Sequence, residues 1–408
     1  MSMCPTEYWL WLQCALGAGA KTDELLAYFG DPEKMYNAGS NEWRLSGLMT
    51  NKKINALKSI SPSETGGIFR ECKAKGYSII TPDSVNYPER FKQLSDMPLV
   101  LYAMGDASVL KDTVSIGVVG TRDASNYGVE TAQKLSFSLA SCGVTIVSGG
   151  ALGIDSEAHA GAMLAKGRTA AFLGCGLSYD YLKENASLRR AITKYGAVVS
   201  EYAPFTPASR TTFPIRNRLI SGLTLGTLVI EAGIKSGSLI TANYALEQGK
   251  DVFAVPGDIV RSSFDGANHL IKNGAKPVFS AMDILSEYEY LYGDLIDFSK
   301  ADVSLSEIPY VEYRKKTQKV QKEASQKPVL EKKDEKVQEK VIVKEKKELD
   351  ASFSSEAKKV YSVLNENPTH IDDILRQTSL KMSEVLSALT ELELMGDVKQ
   401  TEGKKYSI

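Results

Sequence analysis

The sequence predicts an α/β fold with a doubly wound parallel sheet, preceded by a small helical domain and followed by a compact helical tail. Between residues 114 and 280, short β-rich runs alternate with longer helical segments. The β-rich runs are continuously apolar, as expected for strands that are buried on both faces of a parallel sheet. Glycine or a polar residue follows each run, so we expect a ligand site at the carboxyl ends of the strands.

Residues 1–62 form the predicted N-terminal helical domain. The segments TEYWLWLQCAL and TDELLAYFG carry apolar residues at helical spacing, and Thr22 with Asp23 gives a capping signal after the small-residue turn GAGAK. Two short helices around such a turn are found in helix-hairpin-helix motifs, which bind the DNA backbone. A small packing module is the more ordinary alternative, and we favour it.

Residues 63–295 form the predicted sheet domain, residues 296–350 a linker and residues 351–408 a winged helix. The predicted strands are VSIGVV, GVTIVS, RTAAFL, AVVSE, GTLVIEA and DVFAVP. The linker is dense in lysine and glutamate and poor in aromatic residues, which predicts a solvated segment. In the tail, three helical runs precede a short predicted β-hairpin, a pattern typical of winged helices.

The composition limits the function classes. With 49 basic and 50 acidic side chains the net charge is −1, which argues against a histone-like coat but permits a local basic groove. The five cysteines show no C-x-x-C spacing and the three histidines lie far apart, so we expect reduced thiols, no metal site and no cofactor. No apolar stretch approaches the roughly 20 residues of a membrane span. We therefore expect a cytoplasmic protein with no membrane partner.

The loops after the first two predicted strands offer groups for an anion. Arg122 follows the first strand, where an arginine can chelate a phosphate, although a surface arginine near a tight turn is the plain alternative. The dinucleotide and P-loop glycine fingerprints are absent. After the second strand, the backbone of Ser148, Gly149 and Gly150 forms a predicted anion cradle ahead of a helix.

The same helix carries Asp155 and His159 one turn apart. We favour a structural contact between these two side chains over an acid–base pair.

The loop after the fourth strand carries Arg210 and Phe213, which suit the charge and the bases of a nucleic-acid strand. The helix that follows contains Arg216, Asn217 and Arg218. Two arginines at this spacing point to different faces of a helix, so one can reach a ligand while the other pairs inside the protein, with Glu201 or Glu231 as candidates. We expect the segment FPIRNRLISG to belong to a groove rather than to a core.

After the fifth strand, Lys235, Ser236, Gly237 and Ser238 form a second predicted anion cradle at a helix start. Because parallel strands end at one edge of a sheet, these loops meet there and predict a site for several phosphates.

In order and spacing, the motifs GTR, SGGALGIDSEAH, FPIRNRLISGL and VIEAGIKSGSLITANYALEQGKDVFAVPG resemble those of the bacterial DNA-processing protein A (DprA/Smf) family, over about residues 80–280. The resemblance implies an extended Rossmann-like domain that binds single-stranded DNA without sequence preference. It also implies loading of the RecA recombinase onto that DNA in natural transformation, and a homodimer through this domain. The N-terminal helices resemble the family's sterile-alpha-motif-like domain.

The resemblance implies DNA contacts at Arg122, Arg210, Phe213 and Lys235. The family commonly has lysine in place of Arg210, and often arginine in place of Leu152, which removes one cation here.

In the tail, the expected recognition helix has three glutamates, Glu384, Glu391 and Glu393, and one cation, Lys381. Phosphates would be repelled by it, so we interpret the tail as a protein-contact or regulatory module.

An enzyme is the second hypothesis, because related folds include nucleotide phosphoribohydrolases and molybdenum-cofactor carriers, and Glu231 has a plausible catalytic place. The hydrolase motif P-G-G-x-G-T-x-x-E is missing, so we predict a protein that is not an enzyme.

Overall fold

The structure is a computed structural model, and it describes residues 3–301, 303–311, 354–364, 369–378, 380, 382–394, 398–401 and 405–407. Contacts divide the chain into two units, Met1–Lys327 and Pro328–Ile408. The first unit holds the N-terminal helices and the large sheet, and the second holds the helical tail.

An N-terminal helical layer opens the first unit. Its helices are α1 (Pro5–Leu16), α2 (Asp23–Phe29), α3 (Pro32–Leu45), α4 (Asn51–Ser59) and α5 (Pro62–Lys75). Proline begins α1, α3 and α5, where its missing N–H removes no helical hydrogen bond. Trp9, Trp11 and Trp43 form the core of this layer, which continues into Tyr102 of the sheet. The layer extends beyond residue 62, because α5 packs against α1.

The small-residue turn between α1 and α2 packs against the sheet domain. Gly19 has a φ of +73°, and a β-carbon at this position would lie 2.8 Å from Cγ2 of Ile215. The backbone N–H of Gly19 donates to Oε1 of Glu201 over 3.2 Å. The turn therefore acts as a packing element, since this amide already has its partner inside the protein.

A nine-stranded sheet forms the centre of the first unit. Its strands are β1 (Ser78–Ile80), β2 (Leu101–Gly105), β3 (Ser115–Val119), β4 (Thr145–Ser148), β5 (Thr169–Leu173), β6 (Gly196–Ser200), β7 (Gly226–Val229), β8 (Asp251–Ala254) and β9 (Lys276–Pro277). Their order is β1-β2-β6-β5-β4-β3-β7-β8-β9. The predicted strands are β3 to β8, and they pair in parallel, which confirms the doubly wound prediction.

Helices pack against both faces of the sheet. They are α6 (Asn126–Ser141), α7 (Ile154–Leu164), α8 (Ala186–Ile192), α9 (Thr212–Leu223), α10 (Ser238–Glu247), α11 (Asp265–Lys272), α12 (Met282–Leu285) and α13 (Glu289–Tyr292). Successive residues of one strand enter different cores: Val118 packs with residues of α6 and α7, and Val119 with residues of α9 and α10. This double burial explains why the strands have continuous apolar sequences.

The sequence does not predict the edge strands β1 and β9, or β2, which lies next to β1. β1 pairs antiparallel with β2, and β2 pairs antiparallel with β6, so an antiparallel edge extends the parallel sheet. With three residues in β1 and two in β9, these strands are too short to show a hydrophobic period.

The beginning of the predicted linker is packed against the sheet domain. Ile296 and Ala301 enter the core beside α6, and the side chain of Gln133 exchanges two hydrogen bonds with the backbone of Val311, at 2.8 and 3.0 Å. Ile308 is also buried, so the predicted solvated character does not hold for the buried residues Ile296, Ala301 and Ile308. Val303, Tyr310 and Val311 are exposed. Residues 312–350 of the predicted linker lie outside the described residues.

The second unit is a winged helix, as predicted. Its elements are α14 (Ser355–Val363), β10 (Thr369–His370), α15 (Ile371–Thr378), α16 (Met382–Leu394), β11 (Lys399–Thr401) and β12 (Lys405–Ser407), with the strands in the order β10-β12-β11. The short strand β10 is the element that the sequence does not predict. Glu391 of α16 accepts hydrogen bonds from the backbone and the hydroxyl of Ser354, the residue that caps α14. This glutamate therefore holds two helices together, while the tail's role in protein contacts stays a prediction.

A buried ion pair joins α9 to the end of β6 and to the N-terminal layer. Arg218 is 1% exposed and Glu201 is 2% exposed. Nη2 of Arg218 donates to both carboxylate oxygens of Glu201, at 2.7 and 2.8 Å, and its Nε lies 3.3 Å from Oδ2 of Asp96. The backbone carbonyl of Glu201 accepts from Nε2 of Gln13 over 3.2 Å. Together with the Gly19 amide, this residue connects three segments of the chain.

Replacing Glu201 should destabilise the first unit strongly. Glu201→Ala removes the buried partner of the Arg218 guanidinium and leaves only the partly exposed Asp96 beside its Nε, so we expect the free energy of unfolding to fall by about 3–5 kcal/mol. Urea unfolding followed by tryptophan fluorescence reports on this unit, because all the tryptophans lie in α1 and α3. The control is Lys183→Ala, which removes an exposed ion pair with Asp180 and should cost less than about 1 kcal/mol. Equal losses in the two variants would contradict the prediction.

Candidate nucleic-acid interface

A groove lies at the carboxyl-terminal edge of the parallel sheet. It opens where β3 and β7 are neighbours although β4, β5 and β6 lie between them in the chain. At such a switch point the connections leave on opposite faces of the sheet, which creates a crevice. The groove has a volume of about 350 Å³. The predicted site residues that line it are Arg122, Phe213, Arg216, Asn217, Ser236, Gly237 and Ser238.

Arg122 is an exposed cation of this groove. Its guanidinium carbon lies 4.9 Å from the centre of the Phe213 ring, close enough for a cation–π interaction. The Tyr181 ring packs against the same phenylalanine, with ring centres 5.4 Å apart. Two aromatic side chains thus support the arginine, which remains exposed to a ligand.

Arg216 lies beneath the groove surface and is 5% exposed. Its Nη1 donates to the carbonyl of Gly149 over 2.6 Å and to the carbonyl of Phe172. Burial lowers the pKa of Arg216, an effect that Asp155 opposes, and burial raises the pKa of Asp155, an effect that Arg216 opposes. The two buried groups therefore stabilise each other's charge while the arginine ties α9 to the ends of β4 and β5.

Glycines let the loops of the groove lie directly on one another. A β-carbon on Gly149 would come within 2.6 Å of both Nη1 of Arg216 and Oδ2 of Asp155. Gly153 has a φ of +75°, and a β-carbon there would lie 2.4 Å from the carbonyl oxygen of Thr121. Only glycine fits at these close approaches without displacing backbone or the buried charges.

The second predicted cradle forms the opposite wall of the groove. Oγ of Ser236 lies 2.7 Å from Oγ of Ser238, the residue at which α10 begins. Nδ2 of Asn217 donates to the carbonyl of Gly237 over 3.2 Å, which fixes the loop to α9. The start of α10 brings the positive end of a helix dipole to the groove, an arrangement that suits an anion. That an anion binds there stays a prediction.

The structure corrects the roles predicted for Ser148, Gly149 and Gly150, which are all buried. The Ser148 hydroxyl donates to the carbonyl of Val118 over 2.6 Å, and the Gly150 carbonyl accepts from Nδ2 of Asn185 over 3.1 Å. These residues shape the groove from below, and their burial leaves no surface for direct contact with a strand.

The DNA contact predicted for Arg218 is corrected in the same way, because its buried guanidinium is paired with Glu201 and does not reach the groove. The helical spacing correctly predicts that Arg216 and Arg218 differ in direction, and Glu201 is one of the two partners considered. The expectation that the segment belongs to a groove rather than a core is half right. Residues Arg216 to Leu223 are all buried, so α9 lines the groove with its first turns and fills the core with the rest.

Arg210 and Lys235 are exposed and lie outside the lining of the groove. Arg210 precedes α9, and Lys235 precedes the loop of the second cradle, so both cations lie next in sequence to the groove walls. Leu152 is partly buried in the loop after β4.

The predicted contact between Asp155 and His159 is wrong. Nδ1 of His159 lies 2.7 Å from Oγ1 of Thr169, while Asp155 accepts the backbone N–H of Ala151 over 3.3 Å. His159 is fully buried, and burial together with the nearby Arg216 lowers its pKa to about 3. The imidazole is therefore neutral and structural at neutral pH.

Glu231 is buried and bound to the start of α6. Its Oε2 accepts from the backbone N–H and the hydroxyl of Ser125, at 3.0 and 2.7 Å. A β-carbon at Gly128 would lie 2.1 Å from the same oxygen, so the carboxylate packs directly on the first turn of that helix. This placement accounts for Glu231 as a helix-capping group and provides no specific support for the enzyme hypothesis.

The sequence does not single out Thr241, which lines the groove, or Tyr181, which packs against Phe213. Tyr181 lies in the irregular segment after β5, whose path to Phe213 has no local sequence signal. Thr241 lies within α10, and a threonine on a helix face gives no sequence signal of a binding role.

Within the described ranges, no cluster of three or more histidine, cysteine or acidic side chains is arranged to hold a metal ion. All five cysteines are unpaired. Across the same ranges, no helix combines the length and apolar character that crossing a membrane requires.

The buried histidine predicts a pH dependence of stability. The unfolded chain binds a proton at His159 near pH 6.5, whereas the folded chain does so only near pH 3, so stability falls as the pH drops below 6.5. Between about pH 5 and 6 the His159→Gln variant should lose up to about 1.4 kcal/mol less stability per pH unit than the wild type. Urea unfolding at several pH values measures this difference. The exposed His269, changed to glutamine, is the control, and an equal effect there would contradict the prediction.

The matches to known protein families cover the domain that contains the groove and the C-terminal tail. The family model described as DNA recombination-mediator protein A matches residues 78–289, and the DprA winged helix domain matches residues 344–404. The DNA processing protein DprA of Bacillus subtilis is 42% identical over 215 residues, which are 53% of this chain and 72% of that protein. Protein Smf of Synechocystis is 32% identical over 364 residues, covering 88% of this chain and 86% of that protein.

A solved structure gives the same result for the fold. The X-ray structure of DprA from Streptococcus pneumoniae matches with a TM-score of 0.62 and 33% identity, covering 70% of this chain and 99% of that chain. The matched residues 78–289 contain every loop of the groove. The chain belongs to the DNA recombination-mediator protein A family.

Proposed function

We propose that this chain is a recombination mediator that binds single-stranded DNA, without sequence preference, along the groove at the carboxyl-terminal edge of the sheet. The observation that carries the proposal is Arg122, an exposed guanidinium held over the Phe213 ring at a switch point of the sheet. The membership of the chain in a family of DNA recombination mediators supports the same function.

The walls of the groove suit a phosphate backbone. Arg122 supplies a full positive charge on one side, and the start of α10 with Ser236 and Ser238 supplies hydroxyls and a helix dipole on the other. We propose that Arg210 and Lys235, exposed beside these walls in sequence, extend the contact to neighbouring phosphates. Binding through phosphates is independent of base sequence and weakens with salt.

The apolar part of the groove favours an unpaired strand over a duplex. Val119, Phe213 and Ile220 line the same space as the polar groups. In a duplex the bases are stacked and paired inside, whereas a single strand can place a base against an apolar or aromatic surface. Since the guanidinium of Arg122 covers the Phe213 ring, we propose that the phenylalanine acts mainly by positioning this arginine.

We also propose that the bound strand is passed to the RecA recombinase, and that the chain acts as a homodimer through its Rossmann-like domain. Both statements rest on the family resemblance. Natural transformation is the expected setting. The more general role in DNA recombination follows from the family alone.

The binding proposal predicts a large effect of Arg122→Ala. Fluorescence anisotropy with labelled oligo-dT at several salt concentrations should show affinity weakened about tenfold or more, since a charged hydrogen-bond donor is lost. The slope of log K against log salt should fall by about 1. Arg190→Ala, which removes an exposed arginine outside the groove, is the control and should bind like wild type. Equal binding of duplex and single strand, or a normal affinity for Arg122→Ala, would contradict the proposal.

The role of Phe213 can be separated in the same assay. If the ring positions Arg122, Phe213→Ala should weaken binding in the wild type and have little further effect in the Arg122→Ala background. Additive losses in the double variant would instead assign Phe213 to base stacking.

The mediator proposal predicts an effect on RecA itself. On oligonucleotides covered by a single-stranded-DNA-binding protein, wild type should shorten the lag of RecA ATP hydrolysis. Arg122→Ala should not shorten it at concentrations where Arg190→Ala does, because the chain must first hold the strand. DNA binding without any shortening of the lag would refute RecA loading and leave the DNA-binding proposal intact.

A further inference from the structure

A second cavity lies at the opposite, amino-terminal edge of the sheet. Its volume is about 640 Å³, larger than that of the DNA groove. Arg90 in its wall contacts Ser115, the first residue of β3, and Lys250 directly precedes β8, which fixes the cavity at this edge. The N-terminal layer contributes Lys21, while α9 and α10 contribute Arg218 and Tyr244.

The charge of Arg90 is held in place without a counter-ion. Its Nη1 donates to the carbonyl of Leu223 over 2.9 Å and to the Ser115 hydroxyl over 3.4 Å, and its Nη2 donates to the carbonyl of Thr113 over 2.6 Å. All of these acceptors are neutral. The hydrogen bonds fix the guanidinium beside the cavity and leave its positive charge to act on whatever enters.

Lys250 lies close enough to Arg90 to be affected by its charge. Burial lowers the pKa of Lys250, and Arg90 lowers it further, while Asp251 opposes both effects. The Asp251 carboxylate accepts a hydrogen bond from the hydroxyl of Tyr288 over 2.8 Å. Neither Arg90 nor Lys250 forms an ion pair with any residue that the structure describes. Two partly buried cations facing one cavity are a costly arrangement that an anion would relieve.

A buried donor at the same wall lacks a partner. Nη1 of Arg218 finds no hydrogen-bond acceptor among the described residues. Oε1 of Gln248, which also lines the cavity, finds no donor among them. Buried polar atoms of this kind normally have a partner. The acidic residues of the wall are Asp96, which faces Nε of Arg218, and the exposed Glu247. The part of the cavity near Arg90 and Lys250 therefore keeps an excess of positive charge.

We propose that this amino-edge cavity binds a phosphorylated small molecule of nucleotide size, with its phosphates against Arg90 and Lys250. The volume falls within the range of small-molecule sites. Arginine and lysine together provide a fixed fork and a point charge, a combination suited to phosphate oxygens. Leu94 and Tyr244 give the cavity an apolar and an aromatic surface for the remainder of the ligand.

This site is separate from the DNA groove, although both are lined by α9. Arg216 and Asn217 belong to the groove, whereas Arg218 and Gly222 belong to the amino-edge cavity. A test can therefore use Arg122→Ala, which alters the groove, as a variant in which the cavity is intact.

Isothermal titration calorimetry of the full chain tests the proposal with ATP, ADP, inorganic pyrophosphate and oligo-dT as separate probes. We expect binding of at least one of the three small phosphates, weakened about tenfold or more in Lys250→Gln by loss of a charged donor. Arg90→Lys, which keeps the charge but loses the fork, should also weaken it. Lys194→Gln removes an exposed lysine outside the cavity and should have no effect, as should Arg122→Ala. Thermal unfolding of each variant without ligand verifies that it is folded.

Three outcomes overturn the proposal. The first is no binding of any small phosphate at millimolar concentration. The second is binding that is lost in Arg122→Ala and kept in Lys250→Gln, which places the ligand in the DNA groove. The third is a Lys250→Gln effect on oligo-dT alone, which assigns the cavity to a nucleic-acid strand. Failure of the groove proposal leaves this test unchanged, because the two sites are altered by different variants.

Discussion

The buried ion pair between Arg218 and Glu201 is the interaction on which the arrangement of the first unit depends. It fixes α9 to the end of β6, and through the Gly19 amide and the Gln13 side chain it fixes the N-terminal helical layer to both. A charge buried this deeply is tolerated only when its partner is held in position. The glycine-rich turn brings the backbone of the helical layer close enough to complete that environment.

Because Arg218 fixes α9 on one side, Arg216 of the same helix can shape the groove on the other side. Arg216 reaches the carbonyls of Gly149 and Phe172 and lies beside Asp155, so the ends of β4 and β5 are held at a set distance from the helix. The exposed elements of the groove, Arg122 over Phe213, rest on this buried framework. Under the proposed function, a groove held by these buried contacts needs little reordering when a strand binds, which favours affinity.

A chain with a net charge of −1 can still offer concentrated positive charge at two places. At the carboxyl edge of the sheet, Arg122 and the start of α10 face the groove, and at the amino edge Arg90 and Lys250 face the second cavity. In both places the cation is oriented by neutral groups, an aromatic ring for Arg122 and backbone carbonyls for Arg90. The charge is thus directed outward rather than neutralised within the protein.

The sequence by itself determined the parallel strands, the order of the loops at their ends and the divergence of Arg216 and Arg218 on one helix. These follow from periodicity, because double burial makes β3 to β8 continuously apolar and helical geometry separates residues two apart. Only the tertiary structure decided that Ser148 and Arg218 are buried, that Thr169 rather than Asp155 is the partner of His159, and that Tyr181 supports Phe213. Each of these contacts joins segments from different elements, and their distances depend on how helices pack on the sheet, which no local pattern encodes.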